Sequence, residues 1–131
     1  MRARPRILLA DDHLGFLDNA SKILQGQFEI VGKVTDGRAA VDAAFQLQPD
    51  LVVLDVTMPQ MDGFGAAREL RRRGCSAKII CLTVQRGEEF VTAALESGAL
   101  AYVLKSRMYS DLVHAVRQVL AGCTFVSPAT I

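Results

Sequence analysis

Four short apolar runs, each closed by a polar or charged residue, constrain this chain more than any other feature. They are Ile7-Leu8-Leu9-Ala10 before Asp11-Asp12, Leu51-Val52-Val53-Leu54 before Asp55, Ile79-Ile80-Cys81-Leu82 before Thr83, and Ala101-Tyr102-Val103-Leu104 before Lys105. Unbroken apolar runs this short suit strands covered on both faces, as in a parallel sheet. Together with a more mixed run after Gln27, they predict strands over Arg6–Ala10, Phe28–Val34, Leu51–Asp55, Lys78–Thr83 and Leu100–Leu104.

Helix-period segments fill the gaps. Leu14, Leu17, Ile23 and Leu24 share one face, and so do Val41, Ala44, Phe45 and Leu47, which end before Pro49. Ala66, Ala67 and Leu70 follow the Asp62-Gly63 turn. Val91, Ala94 and Leu95 precede Gly98, while Leu112, Val113, Val116, Val119 and Leu120 precede Gly122. Gly74, Gly98 and Gly122 stand where a helix C-terminus favours a left-handed residue. Arg71-Arg72-Arg73, just before Gly74, complement the negative end of a helix dipole. That role accounts for them without a nucleic-acid patch.

This alternation predicts an α/β, flavodoxin-like (βα)5 fold: a doubly wound, parallel, five-stranded sheet in the order 2-1-3-4-5. The 131 residues make one domain's worth of chain. Residues 1–122 are expected to form that domain, and 123–131 the start of a linker or C-terminal tail. Half the residues are apolar, 22% are charged and the net charge is +1, which argues against disorder and against a global field aimed at nucleic acid or membrane. Arg2, Arg4 and Arg6 read as a solvated leader. Cys75, Cys81 and Cys123 lack metal-ligand spacing and read as reduced thiols of a cytosolic protein. With no apolar run of about 18 residues and no signal-peptide pattern, neither membrane insertion nor secretion is expected.

In the 2-1-3-4-5 order, strands one and three lie side by side where a crevice opens at their carboxyl ends. Asp11, Asp12 and Asp55 then face one another. Like charges at close range oppose ionisation, so the cluster implies a cation. Mg²⁺, a hard ion that takes oxygen ligands and keeps several waters, suits it. Thr83 and Lys105, from two further strand ends, bring a hydroxyl and a positive charge for phosphoryl oxygens. Asp55 is then the nucleophile, attacking phosphorus to form an acyl phosphate. Positioning and charge neutralisation do most of such catalysis, and a carboxylate ionised at neutral pH needs no general base. With 14 acidic residues in 131, one strand end is acidic by chance about one time in nine. The combination of strand ends carries the argument, not Asp55 alone.

These residues resemble the receiver domain of bacterial two-component response regulators, over nearly the whole chain from Ile7 to about Gly122. The similarity rests on Ala10-Asp11-Asp12-His13, Leu54-Asp55-Val56-Thr57-Met58-Pro59 with Asp62-Gly63, Leu82-Thr83, and Ala101-Tyr102-Val103-Leu104-Lys105. It implies that Asp55 takes a phosphoryl group from a sensor histidine kinase, a change made on the protein itself rather than enzymatic turnover. It implies Mg²⁺ held by Asp12, Asp55 and the main-chain carbonyl of Thr57, with Asp11 acting through a bound water. Thr83 and Lys105 would grip the phosphoryl oxygens. Tyr102 matches the aromatic switch position, expected to turn inward as Thr83 moves toward the phosphate. Thr57, Val84 and Gln85 fall at positions that border the attacking water and tune hydrolysis. Val84 is bulkier than the Ala, Gly or Ser common in the family.

The acidic-plus-His start and the tail Cys123-Thr124-Phe125-Val126-Ser127-Pro128 resemble the LuxR-type subfamily. Such a receiver normally leads into a helix-turn-helix DNA-binding domain, which lies outside this sequence. Contact with DNA is expected only through that domain, with a homodimer on phosphorylation. A stand-alone receiver acting through protein contacts is the alternative. A haloacid-dehalogenase-type phosphatase also uses a strand-end Asp, but that family wants a second Asp where Thr57 stands. A flavin module would need a phosphate-cradling loop after strand one, where Asp11-Asp12 repel phosphate. His13 reads as a helix-start residue with no metal role, and His114 as a solvent or partner contact.

Overall fold

In the computed structural model, which describes residues 4–128, the unbroken apolar runs become β1 (Arg6–Ala10), β3 (Leu51–Leu54), β4 (Lys78–Thr83) and β5 (Ala101–Leu104). The mixed run becomes β2 (Glu29–Val34), one of the two edges of the sheet. The amphipathic segments become α1 (Leu14–Leu24), α2 (Gly37–Leu47), α3 (Gly63–Arg72), α4 (Glu88–Glu96) and α5 (Met108–Leu120). Strands two, three and five are each one residue shorter than expected. Gly74, Gly98 and Gly122 have φ of 75°, 109° and 91°, the left-handed region their places after α3, α4 and α5 demand. α2 ends without a glycine, on Gln48 at φ 49°.

All strand pairs are parallel, in the order β2-β1-β3-β4-β5-β6. The expected order of five strands is present, and β6 (Phe125–Val126) adds a sixth beyond β5. Those two residues belong to the stretch read from sequence as a linker or tail. Their pairing is long-range and too short to leave a periodic pattern.

The pleat divides the core in two. Leu8, Ala10, Val52, Leu54, Ile79, Cys81, Tyr102 and Leu104 face α2, α3 and α4, packing with Val41, Leu70 and Val91. The alternate residues, Ile7, Leu9, Leu51, Val53, Ile80, Leu82, Ala101 and Val103, pack with Leu17 and Leu24 of α1 and Leu112, Val116 and Val119 of α5. Both faces of the central strands are therefore buried, which is why their runs carry no polar alternation.

Arg4 and Arg6 are not a solvated leader. The Arg4 guanidinium donates to the carbonyls of Gln25 and Phe28, and Arg6 Nη1 donates to the Leu47 carbonyl at 2.8 Å. Carbonyls at and just beyond the ends of α1 and α2 lack partners within the helix, and a guanidinium supplies several donors to them. Arg2 lies outside the described residues. His114, exposed on α5, sets its ring edge-on to Phe125 at 5.3 Å, so its contact is with the chain's own tail. The three thiols are free, and burial pushes that of Cys81 up to about 12, which leaves it protonated and inert. No helix among the described residues is long and apolar enough to cross a membrane.

Candidate functional site

Register builds the site. β1 and β3 run side by side with Ala10 opposite Leu54, so Asp11 and Asp55 leave the sheet at one level. The Asp55 N–H donates to the Ala10 carbonyl at 2.9 Å and the Asp11 N–H to the Val34 carbonyl at 3.0 Å, fixing both backbones. Thr83 lies opposite Leu104 at the ends of β4 and β5, and Lys105 follows at once.

Lys105 is the centre of the arrangement. Its Nζ lies 2.7 Å from Asp11 Oδ2 and 3.1 Å from Asp55 Oδ2, with all three residues buried. Its ammonium also sits 4.2 Å from the centroid of the Phe16 ring. Sequence reasoning missed Phe16, which the helix period of α1 would have placed on its inner side. Asp12 is exposed at the mouth. Burial first, and then the charge of Asp11, raise the pKa of Asp55; Lys105 opposes both without cancelling them.

His13 does more than start a helix. It is the N-cap of α1, its N–H donates to Asp11 Oδ1 at 2.8 Å, and its Nδ1 lies 3.1 Å from Asp12 Oδ1 and 3.7 Å from Asp55 Oδ2. One ligand atom from each of Asp11, Asp12, Asp55 and His13 falls within 4.8 Å of the others. The carboxylate oxygens are the hard donors that Mg²⁺ prefers, and the buried thiol of Cys81 stays protonated. The donor set therefore fits the ion expected from the sequence.

Thr83 and Tyr102 meet on one residue. The Gln85 N–H donates to Thr83 Oγ1 at 3.2 Å, and the Tyr102 hydroxyl donates to the Gln85 carbonyl at 2.8 Å. Tyr102 is wholly buried. Thr57 and Val84 stand exposed at the rim, Val84 by 62%.

The turn below Asp55 has no room for a side chain at Gly63. Its N–H donates to the Val56 carbonyl at 2.8 Å, and a Cβ there would lie 2.1 Å from the Asp55 carbonyl oxygen. Asp62 caps α3 by accepting from the Gly65 N–H at 2.7 Å. Gly63→Ala must push the Asp55 backbone aside, a loss of about 2 kcal/mol. A lower urea midpoint checks this, and a midpoint equal to that of the parent chain would refute it.

Sheet order and acidic crevice together are shared by proteins of several chemistries. A comparison with family models decides among them: residues 7–117 match the response regulator receiver domain. The chain belongs to the response regulator receiver family.

This receiver is 33% identical over 125 residues to the transcriptional regulatory protein DegU of Brevibacillus brevis, covering 94% of this chain and 53% of that protein. It is 34% identical over 125 residues to the nitrate/nitrite response regulator protein NarL of Escherichia coli K12, covering 94% of this chain and 58% of that protein. The crystal structure of a LuxR-family two-component response regulator from Aurantimonas superposes with a TM-score of 0.91 at 32% identity, covering 95% of this chain and 91% of that one. The receiver thus spans about half the length of the curated relatives it matches.

Proposed function

We propose that this receiver takes a phosphoryl group on Asp55 from the phosphohistidine of a sensor kinase, in a Mg²⁺-dependent step. The observation that carries the reading is the Lys105 ammonium bridging Asp11 and Asp55 at 2.7 and 3.1 Å beneath an open acidic mouth. A carboxylate oxygen of Asp55 bonds to phosphorus as the donor's N–P bond breaks, and the released imidazole takes a proton from water. Asp12, Asp55 and the Thr57 carbonyl would hold the metal, and Asp11 would act on it through water. Once bound, the ion neutralises charge on the carboxylates and on the phosphoryl oxygens. Lys105 stays beside Asp55 and donates to a phosphoryl oxygen. Thr83 gives up the Gln85 N–H to donate to another, and Thr57, Val84 and Gln85 border the path of hydrolytic water.

The acyl phosphate carries close to two negative charges where the carboxylate carried one, at a buried strand end. Gln85 carries the consequence outward, since Thr83 binds its N–H and Tyr102 its carbonyl. Movement of Thr83 thereby shifts the loop leading into α4, a local event that biases a two-state surface. In a longer regulator that surface would control dimerisation and a DNA-binding output domain, as the lengths of the relatives suggest.

The test is incubation of the chain with Mg²⁺ and acetyl phosphate, followed by phosphate-affinity electrophoresis. A retarded band that disappears when the metal is chelated is expected. Failure to shift, or a shift indifferent to chelation, would overturn the reading.

A further inference from the structure

We propose that Asp111, clamped by Ser127 of the tail, is the positioning residue for Lys105, so that the strand β6 segment is a working part of the phosphoryl site. The inference rests on the reading of Lys105 given above and adds residues to it.

Lys105 begins a single 3-10 turn, Lys105–Arg107, that joins β5 to α5. The turn is held at both ends, on one side through a backbone N–H and on the other through the Arg107 side chain. Ahead of it, the Leu104 N–H donates to Ser127 Oγ at 3.2 Å. Behind it, Arg107 Nε donates to Asp111 Oδ2 at 2.8 Å. Ser127 joins the two holds, because its hydroxyl donates to Asp111 Oδ2 at 2.8 Å. The result is a relay from amide to hydroxyl to carboxylate, in which each bond polarises the next. Ser110 Oγ adds a further donor to Asp111 Oδ1 at 3.0 Å.

Burial raises the pKa of Asp111, but hydrogen bonds from Arg107, Ser127 and Ser110 outweigh it and hold the group below its ordinary value. The relay therefore stays anionic at neutral pH. Ser127 is 1% exposed and Asp111 6%, so water does not loosen these bonds. An acidic residue in the first turn of α5 would favour that helix by its charge alone. Such a role needs neither Ser127 nor the Leu104 N–H. What the relay spans is the short segment on which Lys105 stands. Ser127 itself is fixed to the sheet, its N–H donating to the Tyr102 carbonyl at 2.9 Å. A pull on the tail is thereby felt at Tyr102, Leu104 and Lys105 together.

The test compares the parent chain with Ser127→Ala, Ser127→Thr and Asp111→Asn, using phosphoramidate as donor. Ser127→Ala and Asp111→Asn are expected to be phosphorylated about tenfold more slowly, the rate equivalent of one charge-assisted hydrogen bond. The Mg²⁺ concentration for half-maximal rate should not rise, since Asp12 and Asp55 are untouched. Ser127→Thr, which keeps the hydroxyl, should return the parent rate. A rate unchanged in Ser127→Ala, or a fall matched by weaker Mg²⁺ dependence, would overturn the proposal. A second readout is independent of phosphoryl transfer. The Lys105 ammonium resonance, slowed in exchange by its buried carboxylates, should be visible by NMR in the parent and lost in Ser127→Ala. Its persistence would sink the positioning role, whereas a parent chain that takes no phosphate would sink only the role of Asp55.

Discussion

Asp55→Asn takes up no phosphate and melts at a higher temperature than the parent chain in the absence of Mg²⁺. The first half follows from chemistry, because an amide is not a nucleophile toward phosphorus. The second follows from electrostatics. Burial and the charge of Asp11 raise the pKa of Asp55 above 3.8, the ordinary value for an aspartate, and Lys105 only partly offsets them. A carboxyl whose pKa is raised by folding contributes its full share to stability below its unfolded pKa. That share is lost as pH rises through the higher folded value. At neutral pH the ionised Asp55 therefore opposes the fold, and its amide isostere does not. Lys105 keeps a partner in the variant, Asp11 at 2.7 Å. Thermal melts at neutral pH check the sign, and a lower melting temperature for Asp55→Asn would contradict it. Added Mg²⁺ should raise the parent more than the variant, because a ligand stabilises only the form that binds it.

Lys105→Ala is the second large effect, and it runs the other way. Asp11 and Asp55 lose the ammonium they share, and truncating one partner of a buried ion pair costs about 3 kcal/mol. Here the loss has a specific remedy. A divalent cation in the same crevice replaces the missing positive charge, so Mg²⁺ should bind more tightly to the variant and restore most of its stability. Phosphorylation stays slow all the same, since the metal does not replace the donor to the phosphoryl oxygen. Urea denaturation with and without Mg²⁺ separates these effects. A loss of stability that Mg²⁺ leaves untouched would show that Lys105 does not act by neutralising the two carboxylates.

Much of this was legible because it is written at short range. Unbroken apolar runs mark the doubly covered strands, and the residue closing each run is the one that faces the crevice. Asp11, Asp55, Thr83 and Lys105 could be placed at their strand ends in that way; the 2-1-3-4-5 order brings Asp11, Asp55 and Lys105 into contact, while the Thr83 hydroxyl bonds the Gln85 N–H. What stayed hidden depends on contacts distant in sequence. Phe125–Val126 are too few to show a strand pattern, and only β5 makes them one. Arg4 and Arg6 looked like a leader because their acceptors are main-chain carbonyls, which carry no sequence signal. His13 reads as a helix start and is the N-cap of α1, yet its ring turns to the carboxylates of Asp12 and, across the crevice, Asp55. Asp111 and Arg107 stand four apart on neighbouring turns, a readable pairing, but Ser127 reaches them only through the sixth strand.

Reduction of the phosphorylated chain with borohydride tests the account most directly, because an acyl phosphate on aspartate is converted to homoserine and the position is read by peptide mass spectrometry. The prediction is homoserine at residue 55 and nowhere else, formed only when donor and Mg²⁺ are both present. Homoserine at another aspartate, or its absence from residue 55 in a chain that has taken up phosphate, would contradict it.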